Sequence, residues 1–269
     1  MMKSSQLLCL LALPLLAQAA DMNMDMAKPQ PQAELRDPNA YSDGYQKGEG
    51  PYAIQDAPMH MGDEHNFAHL LADTFEWGDG GSGAYDVKGW YGGTYDRVLL
   101  KAEGDYSHSR LQDARTELLW DHAISPFWNT QLGVRSDNGQ GPARQWLAFG
   151  VEGLAPYWFD LEVTAYLGDN GRSALRFESE YELLLTQRLI LQPKAELNIY
   201  GKSDPERGIG SGFSDASLGL RLRYEITRQF APYVGVQYSR KLGNTADLAR
   251  HEGEDPGETQ WLAGVRFWF

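Results

Sequence analysis

Apolar and polar residues alternate along much of the chain from about His65 to the C-terminus. Around residue 100, for example, Val98 and Leu100 fall on one face and Lys101 and Glu103 on the other. Successive side chains of a β-strand point to opposite faces, so this period of two predicts strands with one apolar and one polar face. The pattern predicts strands at 65–77, 84–91, 96–106, 114–123, 127–136, 143–154, 158–167, 173–184, 188–200, 213–225, 230–240 and 259–269.

The lengths of these segments and of their connections indicate a membrane barrel. A segment of about ten residues is long enough to cross a bilayer as a tilted strand. Long glycine- and charge-rich connections, such as 201–212 and 241–258, alternate with tight turns, such as 124–126 and 154–156. Outer-membrane barrels have long loops on one rim and short turns on the periplasmic rim. We therefore expect an all-β fold over residues 65–269, an antiparallel transmembrane β-barrel of about twelve strands.

The last strand adds a second indication. Trp261, Ala263, Val265, Phe267 and Phe269 would share its apolar face, and the chain ends on the aromatic residue. This ending resembles the terminal pattern of bacterial outer-membrane barrels. We therefore expect the bacterial outer membrane as the location, with outer-membrane lipid around the barrel.

Aromatic residues recur where strands begin after tight turns. Pro126-Phe127-Trp128, Pro156-Tyr157-Trp158 and Pro232-Tyr233-Val234 each open a strand. At the periplasmic rim, such rings would lie at headgroup level and form an aromatic girdle.

The first 64 residues have a different character. Lys3, the apolar run Leu7–Leu16 and Ala17-Gln18-Ala19 match a secretory signal peptide, predicted at 1–20. Residues 21–64 are polar, rich in Pro, Gly, Gln and Asp, and poor in aliphatic side chains. Such a segment buries too little apolar surface to offset its ordering entropy. We expect a disordered tail in the periplasm.

Charge and cysteine content limit the possible partners. The chain has 24 Lys plus Arg against 37 Asp plus Glu, a net charge of −13. Nucleic-acid binding needs a surplus of cations, so no nucleic-acid partner is expected. The one cysteine, Cys9, lies in the predicted leader, so the mature chain would have neither disulfides nor thiolate ligands.

The methionines indicate a metal. Apart from Met1 and Met2, all of the chain's seven methionines lie in the predicted tail, where there is no core to fill. Thioethers favour Cu(I), and imidazole and carboxylate also accept Cu(II). The sequence therefore predicts copper ligands at Met22, Met24, Met26, Met59, His60, Met61, His65 and His69. Two alternatives are that the methionines are incidental, or that the tail binds a partner protein and no metal.

The polar faces of the strands allow two interpretations. Their acidic residues, which include Glu103, Glu152, Glu162, Glu178 and Glu196, share these faces with lysines and arginines. The charges either pair with one another in a narrow lumen or form an acidic conduit that concentrates cations. For the remaining histidines, His108, His122 and His251, we expect surface positions rather than metal ligation.

Enzymatic motifs are not found. The histidines near the predicted strands lack the spacing of a nucleophile elbow or of a zinc protease. We therefore expect no enzyme. A structural barrel or generic pore without specific metal binding remains one alternative, and an outer-membrane hydrolase remains another. A hydrolase would need a catalytic dyad within hydrogen-bond reach inside the barrel.

Several motifs together resemble a known family. The stretch Gly89-Trp90-Tyr91-Gly92-Gly93-Thr94-Tyr95-Asp96, the stretch Leu99–Gly104 and Pro126-Phe127-Trp128 follow the methionine-rich tail. From about Met59 to Phe269, the chain resembles the copper resistance protein B family (the CopB/PcoB type). The resemblance implies an outer-membrane protein of copper resistance. Its tail would capture copper ions for sequestration or for passage across the membrane, with periplasmic copper carriers or an oxidase as partners.

Overall fold

The computed structural model describes residues 65–107 and 110–269. The predicted leader (1–20) and tail (21–64) lie outside these residues, as does His108. Within them the strands are β1 (Phe67–Gly78), β2 (Ser82–Gly92), β3 (Asp96–Ser107), β4 (Arg110–Ser125), β5 (Trp128–Gly139), β6 (Arg144–Ala155), β7 (Phe159–Gly168), β8 (Ser173–Glu180), β9 (Leu183–Leu184), β10 (Leu189–Tyr200), β11 (Gly212–Tyr224), β12 (Phe230–Lys241) and β13 (Gly257–Trp268). One α-helix, α1 (Gly243–Glu252), lies between β12 and β13.

The strands form a closed antiparallel barrel. Each strand from β1 to β7 pairs with the next, β8 pairs with β10, and β10 continues the sheet through β11 and β12 to β13. The ring closes where β1 pairs with β13, for example Ala72 with Phe267 and Trp77 with Ala263. Because β8 and β9 both pair with β10, along successive parts of its length, they share one wall position. The wall therefore has twelve positions, which confirms the predicted barrel and strand number.

The predicted strand 173–184 is interrupted at Tyr181 and Glu182. Opposite the break lies Pro193, whose carbonyl accepts a hydrogen bond from the Tyr181 backbone N–H at 3.1 Å. An antiparallel hydrogen-bonded pair normally exchanges two such bonds, but proline has no N–H to return the second one. The hydrogen-bond ladder is weakened at this point, and for this reason the strand predicted at 173–184 is not continuous.

The two faces of the wall differ as the alternation predicts. Val98 and Leu100 are about half exposed on the outer face, whereas Lys101 on the inner face is only 2% exposed. At the C-terminus, Trp261 and Phe269 are exposed on the outside, 69% and 72% respectively. An apolar outer surface around a polar lumen is the arrangement of an outer-membrane β-barrel. No helix within the described residues has the length and apolar character that crossing a membrane requires.

The two rims carry different connections. The short-turn rim consists of the turns after β2, β4, β6, β9 and β11, and β1 begins and β13 ends there. The long-loop rim carries the other connections, of which the longest are 201–211 and 242–256. The second of these contains α1, where the sequence predicted a loop throughout.

The aromatic girdle is only partly as predicted. Phe127, Tyr157 and Trp158 are exposed at the short-turn rim, and the Phe127 and Trp158 rings meet edge to face at 6.5 Å. Tyr233 instead lies inside the barrel, 6% exposed. The strand already begins at Phe230, so the alternation from that residue places Phe230 outside and Tyr233 inside.

Candidate functional site

Two of the predicted copper ligands lie in the described residues. His65 is exposed just before β1, and His69 is the third residue of that strand, at the short-turn rim. The other six, Met22, Met24, Met26, Met59, His60 and Met61, lie outside the described residues.

His69 is held by tryptophan rings. Its imidazole stacks with Trp90 at a centroid distance of 5.9 Å and with Trp268 at 5.7 Å, with interplanar angles of 19° and 25°. Trp90 is the cross-strand neighbour of His69, and the barrel closure brings β13 and Trp268 to its other side. The guanidinium of Arg97 lies 5.0 Å from the centre of the Trp90 ring, a cation–π distance. The rings of His69, Trp90 and Trp268 and the guanidinium of Arg97 thus form one stack at the short-turn rim, where residue 65 joins the barrel.

The stack leaves the imidazole nitrogens of His69 available. In the part of the chain that the structure describes, no side-chain hydrogen bond engages them. A neutral imidazole nitrogen is a common ligand for copper. His69 therefore offers one preoriented nitrogen, and further ligands would have to come from elsewhere. Within residues 65–107 and 110–269, no group of three His, Cys, Asp or Glu side chains is close enough to hold a metal ion.

The lumen contains a row of four glutamates on four neighbouring strands. Glu152 pairs with Glu162, Glu162 with Glu178, and Glu178 with Glu196 in the β-sheet register. Like charges directly opposite one another destabilise a sheet unless cations separate them. We call these residues the acidic row.

Cations from other strands neutralise the acidic row. Lys101 Nζ on β3 lies 2.7 Å from a Glu162 carboxylate oxygen and 3.3 Å from one of Glu152. Because β3 and β7 are four wall positions apart, this side chain spans the lumen. The carboxylates of Glu152 and Glu162 neutralise its ammonium charge from another part of the wall, so the Lys101 side chain bridges the lumen at this level.

Arg176 makes a second bridge. Its guanidinium lies 2.7 Å from Glu103 on β3, 2.8 Å from Glu178 and 3.0 Å from Glu196. Lys194 adds a contact of 2.9 Å to Glu178. The structure thus favours the interpretation of mutually paired lumenal charges.

An apolar cluster lies inside the lumen. It consists of Leu99, Leu119, Trp146, Ala148, Tyr166, Ala174 and Tyr200. The Tyr166 hydroxyl donates a hydrogen bond of 2.8 Å to Glu117, and the Arg135 guanidinium lies 4.4 Å from the Tyr166 ring centre. The sequence pattern assigned the inner faces to polar residues and so missed this cluster. Adjacent leucines at 99–100 and 118–119, which pair with each other in register, were the available signal.

The other histidines differ in their surroundings. His122 Nδ1 lies 2.9 Å from Asp96 Oδ1, and Trp120 Nε1 donates to the same oxygen at 2.9 Å. Trp120 and Asp96 are exposed, so this pair lies on the outer surface and not in the lumen. His251 is exposed on α1. Both agree with the surface positions expected, and the His122 pair is not the lumenal dyad that a hydrolase would need.

Comparison with known proteins shows the family. The family model described as copper resistance protein B precursor (CopB) matches residues 66–269. The chain belongs to the copper resistance protein B family. It is 48% identical over 205 residues to the copper resistance protein B homolog of Pseudomonas syringae pv. tomato, covering 75% of this chain and 70% of that protein. It is 45% identical over 203 residues to copper resistance protein B of Escherichia coli, covering 74% and 69%.

Solved structures of similar shape include two porins. The NanC porin aligns with a TM-score of 0.49 and 12% identity, over 75% of this chain and 99% of the porin. The KdgM porin aligns with a TM-score of 0.43 and 13% identity, over 76% and 99%. The assignment of this copper resistance protein B family member as an outer-membrane barrel rests on its own closed strand pairing and apolar outer face.

Proposed function

We propose that this member of the family binds copper ions through residues 21–69 and serves copper resistance by capturing them in the periplasm. The observation that carries the proposal is the distribution of methionine: the five methionines after the predicted leader all fall within residues 21–64. Thioether sulfur favours Cu(I) among the biological first-row metals, and the aspartates and histidines nearby also accept Cu(II). Membership of a copper resistance family supports the choice of metal.

The topology supports a periplasmic position for this segment. Strand β1 begins on the short-turn rim, so residue 65 meets the barrel there. In outer-membrane barrels the short turns face the periplasm. After export and removal of residues 1–20, residues 21–64 would therefore face the periplasm, where copper carriers or an oxidase would exchange ions with them.

His69 is the last ligand in the proposed set. Met59, His60, Met61 and His65 precede it within ten residues, so they can reach the rim where its imidazole is held between two indoles. Together these side chains would complete the coordination of an ion that one fixed nitrogen alone would bind weakly. His69 thus marks the end of the capture segment at the opening of the lumen.

Deletion of residues 21–64, with the leader retained, tests the proposal in cells. We expect copper tolerance to fall while the barrel still assembles, as shown by retained heat-modifiable migration of the folded protein on gels. A matched control removes no predicted ligand: His122→Ala with His251→Ala should leave tolerance unchanged. Full tolerance in the deletion strain at normal barrel levels would contradict the proposal.

A further inference from the structure

The connection between β10 and β11, residues 201–211, folds over the long-loop rim. Its chain reverses at Pro205–Arg207, and the backbone groups of Asp204 and Ile209 pair across the reversal at 2.7 and 3.0 Å. The Ile209 side chain packs against the apolar cluster in the lumen. The segment therefore enters the mouth of the barrel.

Arg207 shows how far the segment reaches. Its guanidinium lies 2.8 Å from Asp113 on β4 and donates to the Pro142 carbonyl at 3.0 Å. Counting β8 and β9 as one position, β4 is five positions from β10 and six from β11 in a ring of twelve. The loop is thus joined to the wall opposite its own strands and crosses the mouth.

Asp204 ties the middle of the segment to a third part of the rim. Its carboxylate accepts two hydrogen bonds from Arg144 at the start of β6, at 2.7 and 3.0 Å, and lies 3.5 Å from Arg172. Although Asp204 belongs to a loop, it is only 6% exposed. A carboxylate so enclosed needs these cations, because a buried unpaired charge is costly.

The loop that contains α1 contacts the other side of residues 201–211. Gly210 N–H donates to Thr245 Oγ1 at 2.9 Å, and Thr245 Oγ1 is 3.0 Å from Ser214 Oγ. Asn244 Nδ2 donates to the Ser211 carbonyl at 3.1 Å. The segment is therefore fastened around the mouth by polar contacts, with Ile209 as its apolar anchor.

We propose that residues 201–211 form a lid that closes the long-loop mouth of the barrel and is released when the ion pairs of Asp204 and Arg207 break. Few apolar contacts and several ion pairs and hydrogen bonds hold this segment, which is the composition of an element that opens locally without unfolding of the barrel. The inference stands on the loop alone and does not depend on copper binding by residues 21–69.

Thiol accessibility measures whether the lid opens. The chain has one cysteine, Cys9, and the test uses the complete chain with Cys9 absent after leader removal or replaced by Ser. Ala174→Cys then places a single thiol in the apolar cluster against which Ile209 packs, and a charged methanethiosulfonate reagent modifies it only when the lid lifts. Ser203→Cys, at an exposed position of the same loop, is the reference for reagent reactivity.

We expect slow modification of Ala174→Cys relative to Ser203→Cys. Adding Asp113→Asn and Asp204→Asn should accelerate it by about tenfold or more, since Arg207 loses its carboxylate and Arg144 keeps only the exposed Glu206. High salt should accelerate modification in the unchanged background through the Arg207–Asp113 pair, whose carboxylate is exposed to solvent. The charge-matched control is Asp247→Asn with Glu254→Gln, which removes two exposed ion pairs from the neighbouring loop and should change nothing.

Two results would overturn the proposal. One is rapid modification of Ala174→Cys in the unchanged background, which would show that the mouth is open. The other is an equally slow rate in all backgrounds and salts, which would show a fixed wall. Trypsin gives a second readout that needs no cysteine: cleavage after Arg207 should appear in Asp113→Asn/Asp204→Asn and not in the control, with the barrel still folded on gels.

Discussion

The imidazole of His69 stacks on the indole of Trp90, with ring centroids 5.9 Å apart and planes inclined by 19°. Trp268 stacks on the same imidazole at 5.7 Å. This pairing depends on barrel closure, because Trp268 comes from the last strand and His69 from the first. Among the described residues of the proposed copper set, His69 is the one that lies on a strand, and the pairing puts it in direct contact with two fluorescent side chains.

Copper bound at His69 should therefore quench tryptophan emission. Paramagnetic Cu(II) within a few ångströms of two indoles would quench them, so Trp90→Phe with Trp268→Phe should remove most of the quenching. The measurement is a fluorescence titration of the full mature chain. Trp158→Phe, an exposed ring on the same rim, is the control and should leave the quenching unchanged. Undiminished quenching in Trp90→Phe/Trp268→Phe would place the copper elsewhere.

Lys101 is expected to stabilise the barrel through the acidic row. Its side chain is 3% exposed and bridges to Glu152 and Glu162, so Lys101→Met would leave two lumenal carboxylates without their cation. We expect a loss of roughly 3 kcal/mol in the free energy of unfolding, measured by urea unfolding in lipid vesicles.

Neutralising the partner should recover part of that loss. Lys101→Met with Glu162→Gln should be more stable than Lys101→Met alone, because one stranded charge is gone. Arg250→Met, which removes an exposed ion pair on α1, should cost little. Equal stability of Lys101→Met and the unchanged protein would show that the lumenal pairing adds nothing.

The hydroxyl of Tyr166 is expected to stabilise the folded barrel. Glu117 is 2% exposed and accepts the Tyr166 hydrogen bond on Oε1, while Oε2 has no hydrogen-bond partner among the described residues. Tyr166→Phe would leave this buried carboxylate unsatisfied, and we expect a loss of about 1–3 kcal/mol in the same unfolding assay. Tyr224→Phe, on the outer face, is the comparison. If the two changes cost the same, the hydroxyl contact is not the cause.

The strands of the barrel could be predicted from the sequence, whereas the contacts between residues that are far apart in the sequence could not. Alternation and turn spacing gave the strands to within a few residues, because both are local properties of the chain. The break at Tyr181 depends on Pro193, which lies in β10. The alternation of apolar and polar residues within 173–184 carries no information about that partner. The alternation places Leu99 on the same inner face as Lys101, but its packing in one cluster with Trp146, far away in the sequence, is not a local property of the chain.

The candidate site could likewise be predicted only in part from the sequence. His69 was predicted as a copper ligand because it lies close to other potential ligands in the sequence, and this role stays a prediction. The stacking of His69 between Trp90 and Trp268 was not predicted, since it requires the first and last strands to meet. Likewise, the contact of Arg207 with Asp113 joins residues 94 positions apart, and neither residue has a local pattern that reveals the other.

The lid should open in acid but not at ordinary pH. The Arg144 hydrogen bonds, with the charges of Arg172 and Arg207, lower the pKa of Asp204 below its usual value near 4. Its contribution to closure is therefore complete above about pH 4 and is lost as the pH falls through the lowered pKa. Neighbouring Glu206 also pairs with Arg144, on the exposed side of the loop.

Hydrogen exchange at Ile209 measures this closure. Its backbone N–H donates to the Asp204 carbonyl at 3.0 Å, so its protection factor, corrected for intrinsic exchange, reports the closed loop. We expect constant protection from about pH 5 to 8 and a decline below about pH 4. In Asp204→Asn the protection should be lower throughout and lack this decline. Loss of protection near neutral pH would contradict the assignment.

Copper binding by the thioethers of residues 21–64 is tested by a Cu(I) titration of the full mature chain in micelles against a competing chelator. The comparison protein has Met22, Met24, Met26, Met59 and Met61 changed to Leu, with His122→Ala/His251→Ala as the control. We expect the Leu variant to lose high-affinity Cu(I) and the control to retain it. Equal affinity and stoichiometry in the Leu variant and the unchanged protein would contradict this expectation.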